Sequence, residues 1–430
     1  MAQYSVAVVG LGKIGLPLAA QFAHAGMNVI GCDISQEVVD TINAGHSHVK
    51  EEPGLEEMVA AGVAGGNLSA TTDTPGAVRK SNVVLVIVPV MVDEQRNIDY
   101  RYIDAATTSV AAGLQRNTLV IYETTLPAGT TRTRFGPKLE EGSGLKLGRD
   151  FSLAFSPERV YSGRIFRDLH KYPKIVGGVT QQCTSRASAF YEVALEGAPV
   201  MPMQDADTAE LVKLMETTYR DVNIALANQF ARFAASRGLP VDQAIFAANT
   251  QPFSHIHRPG IAVGGHCIPV YPYFLINEAG DEPMNLLVAA RAINDDMAEW
   301  AVGRLGEALG GLEGKRVLLL GIAYRENVKE TAFSGAVRII DILKKQDAVP
   351  LLNDPLYTPR ELARYGGELV TLEPLPACDA AILHAYHDAY KSLDWRALAA
   401  KGCKVVLDGR NSLDREAIES AGMRYIGIGR

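Results

Sequence analysis

The sequence predicts an α/β protein built from two doubly wound units that are joined by one long central helix. A glycine-rich turn follows the first strand-like run, and strand-like and helical stretches then alternate over residues 1–180. The same alternation restarts at "KRVLLLGIAYR" (315–325). A chain of 430 residues is long enough for two or three domains with ample cores.

The first strand-like run, "SVAVV", leads directly into Gly10, Gly12 and Gly15 with the spacing GxGxxG. A helical pattern and a second strand follow, and this strand ends at Asp33, 18 residues after Gly15. One glycine allows the tight turn, one lets the backbone approach a pyrophosphate, and one lets helix and strand pack closely. Asp33 is expected to accept hydrogen bonds from ribose hydroxyls, which favours NAD over NADP. The predicted cofactor-binding residues of this Rossmann-like unit are Gly10, Leu11, Gly12, Lys13, Ile14, Gly15 and Asp33.

Four further strand-like runs occupy residues 83–88, 118–124, 151–158 and 174–178, with helical stretches between several of them. This alternation predicts a mostly parallel sheet, in which ligands bind beyond the carboxyl ends of the strands. The polar or turn-forming residues that lie at such ends are Pro89, Thr124, Thr125 and Glu158, and the first three are also predicted to bind the cofactor.

Residues 205–237 form one continuous helical pattern, which would be about 50 Å long. Asp207 and Glu210 fit a capping box at its start, and Gly238 with Pro240 ends it. A helix of this length exceeds one small domain, so we expect a connector or a subunit-contact helix.

Bulk composition excludes several classes of protein. The net charge of −7 and the absence of a block of Lys or Arg argue against a nucleic-acid partner. The longest apolar run, "VVLVIVPVMV", is too short to cross a bilayer. The N-terminus lacks the pattern of a secretory signal, and five scattered cysteines suggest neither a disulfide framework nor a metal site. We therefore expect a cytoplasmic protein without a membrane partner.

Cys267 lies in the stretch "VGGHCIPVYPYF" (263–274). From the residues alone, it is either a small buried core residue or a nucleophile, and this choice stays open. His266 precedes it, and adjacent residues of an extended chain point to opposite sides, so we expect His266 to be structural rather than a base. The glycines before it should let backbone N–H groups and a sugar phosphate come close.

Seven ordered motifs carry a resemblance: "GLGKIGLP", "ETTLPAGTT", "SPERV", "AELVKLMETTYRDVNIALANQ", "GGHCIPV", "GIAYRENV" and "DGRN". Together they resemble the UDP-glucose/GDP-mannose dehydrogenase family over essentially the whole chain, and most closely its UDP-N-acetylhexosamine branch. The resemblance implies an NAD-binding domain (1–200), a central helical dimerisation segment (201–300) and a nucleotide-sugar-binding domain (301–430). It also implies a homodimer formed through the central helix.

The resemblance further implies a twofold, four-electron oxidation of C6 of a nucleotide sugar by NAD, from alcohol to carboxylate. An aldehyde must become tetrahedral before it can lose hydride, and a thiolate achieves this by forming a thiohemiacetal and then a thioester. The residues that match the family's catalytic positions are Cys267, Lys213, Glu158 and Thr125. Those that match its substrate-binding positions are Arg159, Val160, Tyr161, Lys213, Thr217, Arg258, Gly264, Gly265, Tyr271, Tyr324, Arg325 and Arg410. For Arg410, a structural salt bridge is the alternative.

Several positions depart from the family pattern. Relatives keep Asp and Asn where this chain has Tyr271 and Thr217, and Ala332 stands where an arginine is usual. A phenol is a poor base near pH 7, so Lys213 and Glu158 are expected to carry more of the acid–base work through water. The substrate stays open between UDP- or dTDP-glucose and UDP-GlcNAc or UDP-ManNAc. The alternative functions are a two-electron 3-hydroxyacid-type dehydrogenase and a non-catalytic homologue that binds NAD and nucleotide sugar.

Overall fold

A computed structural model describes residues 4–93 and 95–430. The chain divides into two compact units. One unit runs to Glu216 and includes Tyr273–Glu278, and the other comprises Thr217–Pro272 and Ala279–Arg430. Both are α/β, so the predicted fold class is confirmed.

The N-terminal unit is built on an eight-stranded sheet of order β10-β9-β8-β7-β4-β1-β2-β3. Its strands are β1 Ser5–Val9, β2 Asn28–Cys32, β3 Leu68–Thr71, β4 Val83–Val86, β7 Leu119–Tyr122, β8 Ser152–Phe155, β9 Lys174–Gly178 and β10 Val200–Pro202, with a hairpin of β5 Met91–Val92 and β6 Ile98–Asp99 beside it. All neighbours in the sheet are parallel except β8 and β9. The central strands are buried along their whole length because helices cover both faces.

The helices of this unit connect successive strands. They are α1 Gly15–His24, α2 Gln36–Asn43, α3 Leu55–Ala64, α4 Thr74–Arg79, α5 Arg101–Gly113, α6 Gly136–Ser143 (preceded by a π-helical turn at Thr131–Phe135), α7 Ile165–Lys171 and α8 Gln181–Ala194. The hydrophobic core of this unit includes the buried side chains of Val8, Phe22, Leu85, Ile121 and Phe190.

The C-terminal unit has a six-stranded, wholly parallel sheet of order β13-β12-β11-β14-β15-β16. Its strands are β11 Arg316–Leu320, β12 Val349–Asn353, β13 Glu368–Leu369, β14 Ala380–Leu383, β15 Val405–Asp408 and β16 Arg424–Gly427. The remaining helices of the chain are α9 Ala206–Arg237, α10 Val241–Ala248, α11 Pro272–Glu278, α12 Asn285–Leu309, α13 Gly335–Lys345, α14 Pro359–Ala363, α15 Trp395–Ala400 and α16 Arg415–Ser420, with a 3₁₀ turn at Asp388–Tyr390. α9 begins in the N-terminal unit and ends in the C-terminal unit, and most of α11 belongs to the N-terminal unit. No helix in the described part of the chain is both long and apolar enough to cross a bilayer.

The long central helix is confirmed, and it ends as predicted at Gly238, whose φ is +66°. The predicted capping box is wrong. The capping carboxylate belongs to Asp205, which accepts from Thr208 N at 2.8 Å, while Asp207 pairs with Arg132 at 2.7 Å. Glu210 turns away from the helix start and accepts from Thr131 N at 2.8 Å. Several acids lie close together here, and the one that caps is the one whose backbone has not yet become helical.

Candidate active site

The three glycines after β1 have different surroundings. Gly10 has a φ of +96°, and a Cβ there would lie 2.5 Å from Ile87 O. A Cβ on Gly15 would lie 1.8 Å from Gly10 O, so the start of α1 packs directly on the turn. A Cβ on Gly12 would meet nothing within 4 Å. Gly10 and Gly15 therefore make the turn, while Gly12 leaves open space for a ligand.

Asp33 is held at the edge of this turn by two backbone donors. Leu11 N donates to its Oδ2 at 3.1 Å and Ser35 N to its Oδ1 at 2.9 Å, while the residue stays half-buried. α1 begins after Ile14, whose side chain makes no capping hydrogen bond. Space at Gly12, an uncapped helix start and an oriented carboxylate are the features that a dinucleotide requires, so these residues fit NAD.

Pro89 follows β4, which pairs with β1, and Thr124 and Thr125 follow β7, which pairs with β4. Thr124 Oγ1 donates to Val88 O at 2.7 Å, which ties the two strand ends together. Both threonines are buried and Pro89 is exposed. The three predicted residues thus lie at the carboxyl edge where such sheets bind ligands.

Glu158 is surrounded by hydrogen-bond donors. Its Oε1 accepts from Arg159 N at 2.6 Å and from Val160 N at 3.1 Å. Its Oε2 accepts from Lys174 Nζ at 3.0 Å, and its main-chain oxygen accepts from Lys213 Nζ at 2.6 Å. Two of the predicted catalytic residues, Glu158 and Lys213, are therefore in direct contact.

These contacts decide the ionisation of Glu158. Burial by itself would raise the pKa of Glu158, but the ammonium of Lys174 and the backbone donor of Arg159 outweigh it and hold that pKa below its usual range. Glu123 also pairs with Lys174, at 3.1 Å, and burial raises the pKa of Glu123 to about 7. Glu123 and Lys174 were not among the residues predicted from the sequence. The available signals were an acid at a strand end and a lysine opening the buried run "KIVGG".

The remaining predicted residues of the "SPERV" segment have different surroundings. Arg159 pairs with Glu216 and donates from a terminal guanidinium nitrogen to Pro173 O at 3.2 Å. Val160 packs against the hydrophobic core. Tyr161 is 41% exposed, with the guanidinium of Arg164 4.6 Å from its ring centroid. Of these three residues, Tyr161 is the most exposed.

Cys267 lies in a turn of the C-terminal unit. Its carbonyl accepts from Val270 N at 3.2 Å and from Tyr271 N at 2.9 Å. It is half-buried, whereas the other four cysteines of the chain are buried. Accessibility therefore separates Cys267 from the core cysteines, which the residue pattern alone did not do.

The glycines before Cys267 make room for the ring of Tyr324. Gly265 N donates to Ala332 O at 2.8 Å, so this N–H does not serve a phosphate. Gly265 has a φ of +96°, and a Cβ on it would lie 3.0 Å from the ring of Tyr324. A Cβ on Gly264 would lie 2.8 Å from Tyr324 Cβ. The glycines are needed because Tyr324 packs directly against this backbone.

Arg410 is hydrogen-bonded to the main chain of the same region. Its Nε donates to His384 O at 2.6 Å and one terminal nitrogen donates to Tyr324 O at 3.1 Å. Burial lowers the pKa of Arg410. Arg325 Nε donates to the hydroxyl of Tyr324 at 3.1 Å. The predicted residues Gly264, Gly265, Tyr324, Arg325 and Arg410 are thus brought together.

The segment that carries Arg258 is tied to α9 by two asparagines. Asn223 Oδ1 accepts from His257 N at 2.9 Å, and Asn228 Oδ1 accepts from Gly260 N at 2.9 Å. Arg258 itself is exposed.

Thr217 is buried on α9. His266 is 52% exposed at its side chain, and its Nε2 lies 3.4 Å from a carboxylate oxygen of Glu330. Thr217, Arg258 and the residues around Cys267 belong to the C-terminal unit, whereas Glu158, Lys213 and the cofactor residues belong to the N-terminal unit.

Comparison with known proteins covers nearly the entire chain. Three models of the UDP-glucose/GDP-mannose dehydrogenase family match in order: the NAD binding domain (4–195), the central domain (207–296) and the UDP binding domain (318–415). A UDP-N-acetyl-D-mannosamine dehydrogenase of Pyrococcus horikoshii is 37% identical over 99% of both chains, and the solved structure of that enzyme superposes with a TM-score of 0.90, also at 37% identity over 99% of each chain. An NDP-N-acetyl-D-galactosaminuronic acid dehydrogenase of Ralstonia solanacearum is 34% identical over 94% of this chain and 95% of its own. With an NAD-binding fold, a UDP-binding domain and this similarity along its whole length, the chain belongs to the UDP-glucose/GDP-mannose dehydrogenase family.

Proposed function

We propose that the chain is an NAD-dependent nucleotide-sugar 6-dehydrogenase that converts the C6 hydroxyl of an NDP-hexose to a carboxylate in two oxidations. The observation that carries the proposal is the half-buried Cys267, placed in a glycine turn of a chain that belongs to this family. A second oxidation requires a nucleophile that can add to an aldehyde, and a partly exposed thiol meets that need.

The chain's own residues have distinct roles in this proposal. The Cys267 thiolate adds to the aldehyde carbon, and Lys213 stabilises the oxyanion that forms on the aldehyde oxygen. Loss of hydride from this thiohemiacetal leaves a thioester. Water activated at Glu158 and ordered by Thr125 attacks the thioester carbon, which releases the carboxylate and returns the thiolate. NAD, when bound at Gly12 and Asp33, supplies the hydride acceptor for both oxidations.

We propose a UDP-N-acetylhexosamine, and UDP-ManNAc first, as the sugar. Relatives that match 90–99% of this chain are named UDP-N-acetyl-D-mannosamine dehydrogenase or NDP-N-acetyl-D-galactosaminuronic acid dehydrogenase. UDP-glucose and dTDP-glucose are the rivals, because Tyr271, Thr217 and Ala332 depart from the usual pattern. Recognition would involve Arg258, Tyr324 and Arg325, whose donors suit a diphosphate or a sugar hydroxyl.

The test is a panel of UDP-ManNAc, UDP-GlcNAc, UDP-glucose and dTDP-glucose with NAD, read as NADH formed per sugar consumed. Two NADH per sugar support the proposal, one supports a two-electron dehydrogenase, and none supports a non-catalytic homologue. Cys267→Ser should abolish acid formation while NAD binding persists, because the hydroxyl is a far weaker nucleophile. Cys183→Ser, at a buried cysteine of the N-terminal unit, is the matched control. Acid formation by Cys267→Ser at the normal rate would contradict the assigned role.

We also propose that residues 1–200 bind NAD, that 301–430 bind the nucleotide sugar and that 201–300 mediate homodimerisation. Support for the dimer comes from one stripe of large apolar side chains along α9. Tyr219, Leu226, Phe230 and Phe233 are 53%, 46%, 41% and 58% exposed, at helical spacing. A second copy of the chain would cover them.

Light scattering after size-exclusion chromatography tests the dimer. Phe230→Glu and Phe233→Glu together should convert a dimer to a monomer because they place charge in the apolar stripe. Leu369→Glu changes an exposed leucine on the edge strand β13 and should leave the mass unchanged. A wild-type protein of monomer mass would contradict the proposal.

A further inference from the structure

Three polar side chains meet on the buried side of Glu158 in the N-terminal unit. Glu123 follows β7, Lys174 opens β9 and Tyr191 lies on α8. Lys174 Nζ lies 3.1 Å from Glu123 Oε1 and 3.0 Å from Glu158 Oε2. The hydroxyl of Tyr191 donates to the same Oε1 of Glu123. The side chains of Glu123, Lys174 and Glu158 are only 0%, 5% and 12% exposed.

The charges of this cluster do not balance if every group is ionised. One ammonium faces two carboxylates, and Tyr191 is a neutral donor, so full ionisation leaves an uncompensated negative charge away from water. The two carboxyls differ in their partners. Glu158 also accepts two backbone N–H bonds, whereas Oε2 of Glu123 is buried without a hydrogen-bond partner. A proton on Glu123 removes the excess charge from the oxygen that lacks a donor.

We propose that Lys174 is a positioning residue that keeps Glu158 ionised and in place, and that Glu123 is its protonated, neutral anchor in mildly acidic solution. In this arrangement Oε1 of Glu123 accepts from Lys174 and Tyr191 while the proton sits on Oε2. The full charge of the ammonium is then left to Glu158, the group assigned to activate water. The inference therefore rests on the proposed function.

The directions of the pKa values agree with this arrangement. Burial raises the pKa of Glu123 to about 7, and the neighbouring Glu158 adds to the rise. The pKa of Glu158 is held below its ordinary value, as described above. Burial lowers the pKa of Lys174, but attraction to Glu123 and Glu158 outweighs it and raises that pKa above its usual range. The lysine therefore stays charged.

The first experiment is the pH dependence of NADH formation at saturating NAD and sugar. Lys174→Met removes the cation, so Glu158 should take up a proton more readily and the acidic limb should move up by about 1–3 pH units. Lys174→Arg keeps the positive charge, so it should reverse most of that shift. Glu123→Gln replaces a neutral acid by a neutral amide, so its acidic limb should stay within about 0.3 pH unit of wild type. Tyr122→Phe, on the strand that precedes Glu123, is the control for packing and should not move the limb.

A downward shift of about one pH unit in Glu123→Gln would mean that Glu123 is ionised in the native protein, and this would overturn the inference. An unmoved limb in folded Lys174→Met would also overturn it.

The second experiment does not depend on turnover. Infrared spectra of the wild-type protein at pH 6 should contain the carbonyl band of a buried carboxylic acid, which weakens by pH 8 and is missing in Glu123→Gln. Absence of that difference overturns the inference even if the enzyme is active. A wild-type protein that forms no NADH would instead refute the proposed function, while the infrared result still decides the protonation of Glu123.

Discussion

Alanine substitutions at Gly12 and Gly15 should separate cofactor binding from folding. The methyl group of Gly15→Ala would lie 1.8 Å from Gly10 O, whereas an ordinary contact begins near 3.4 Å. The obstacle is the carbonyl of the Gly10–Leu11 peptide, and the bond from Leu11 N to Asp33 Oδ2 holds that peptide plane against rotation. Overpacking costs up to about 3 kcal/mol, and we place Gly15→Ala at that upper value. For a domain of this size this corresponds to a loss of about 6–12 °C in Tm.

Gly12→Ala should preserve stability but weaken NAD binding. The new methyl group meets no protein atom within 4 Å, so the free energy of unfolding should hold or rise by about 0.4–1 kcal/mol. It would, however, fill the space through which a pyrophosphate approaches the backbone. We expect the Kd for NAD to rise at least about tenfold, or 1.4 kcal/mol.

Thermal melts without NAD and calorimetric titration with NAD measure the two effects. Gly303→Ala is the matched control, because a Cβ at that position on α12 also meets nothing within 4 Å. It should leave the Kd for NAD unchanged. A Kd of Gly12→Ala for NAD equal to that of Gly303→Ala would contradict the assignment of Gly12 to the cofactor site. A Tm of Gly15→Ala within about 2 °C of wild type would contradict its assignment to packing.

Three further predictions concern other parts of the site. Asp33→Asn leaves one carbonyl oxygen for two backbone donors and removes the negative charge. NAD should therefore bind about tenfold more weakly, and the ratio of the Kd values for NADP and NAD should decrease, as measured by calorimetry. Gly265→Ala forces a side chain at a φ of +96° beside Tyr324, a strain of about 1–3 kcal/mol, so acid formation should fall at least about tenfold in kcat while the Kd for NAD stays normal. Burial, together with the charge of Arg410, lowers the pKa of His384 to about 3. Below pH 6.5, the ordinary pKa of histidine, the unfolded chain therefore binds a proton at His384 that the folded protein does not bind. Stability should therefore fall as pH drops from 6.5 towards 3, by about 2 kcal/mol at pH 5, and urea unfolding of His384→Gln should show a smaller loss.

The parts of the fold that were predictable from sequence rest on local patterns. The buried runs "VVLV" and "LVIY" became the central strands β4 and β7 because parallel strands covered on both faces need continuous apolar residues. The end of α9 was predictable because Gly238 can adopt a positive φ that other residues avoid. The glycine turn was predictable because its spacing encodes a steric requirement between residues five positions apart.

The parts that were not predictable depend on residues that are distant in sequence. Lys174 meets Glu123 and Glu158 only because β7, β8 and β9 are neighbours in the sheet, and no local pattern reports that order. The N–H of Gly265 was expected to be available to a phosphate, but it is bonded to Ala332, which lies 67 residues further along the chain. Such pairings follow from tertiary packing, so only the structure assigns them.

Each unit contains an aspartate that accepts a backbone hydrogen bond at the corresponding position of its own sheet. In the N-terminal unit, Asp33 follows β2 and accepts from Leu11 N at the end of β1. In the C-terminal unit, Asp354 follows β12 and accepts from Ile322 N at 2.7 Å, directly after β11. The strand orders around the two positions, β3-β2-β1-β4 and β13-β12-β11-β14, correspond. This correspondence supports an internal duplication of the α/β unit.

The second unit differs from the N-terminal dinucleotide turn in two respects. Asp33 remains half-buried at an edge, whereas Asp354 is 3% exposed and its Oδ2 lies 3.2 Å from His387 Nε2. In the N-terminal unit, α1 begins five residues after Gly10, so its uncapped start lies at the end of β1. In the C-terminal unit, residues 321–334 intervene before α13, and they carry Tyr324. The carboxylate of Asp354 is thus buried in contacts within the protein, and the start of α13 is separated from β11 by a loop, so the two features that hold a pyrophosphate and a ribose in the usual turn are not repeated here.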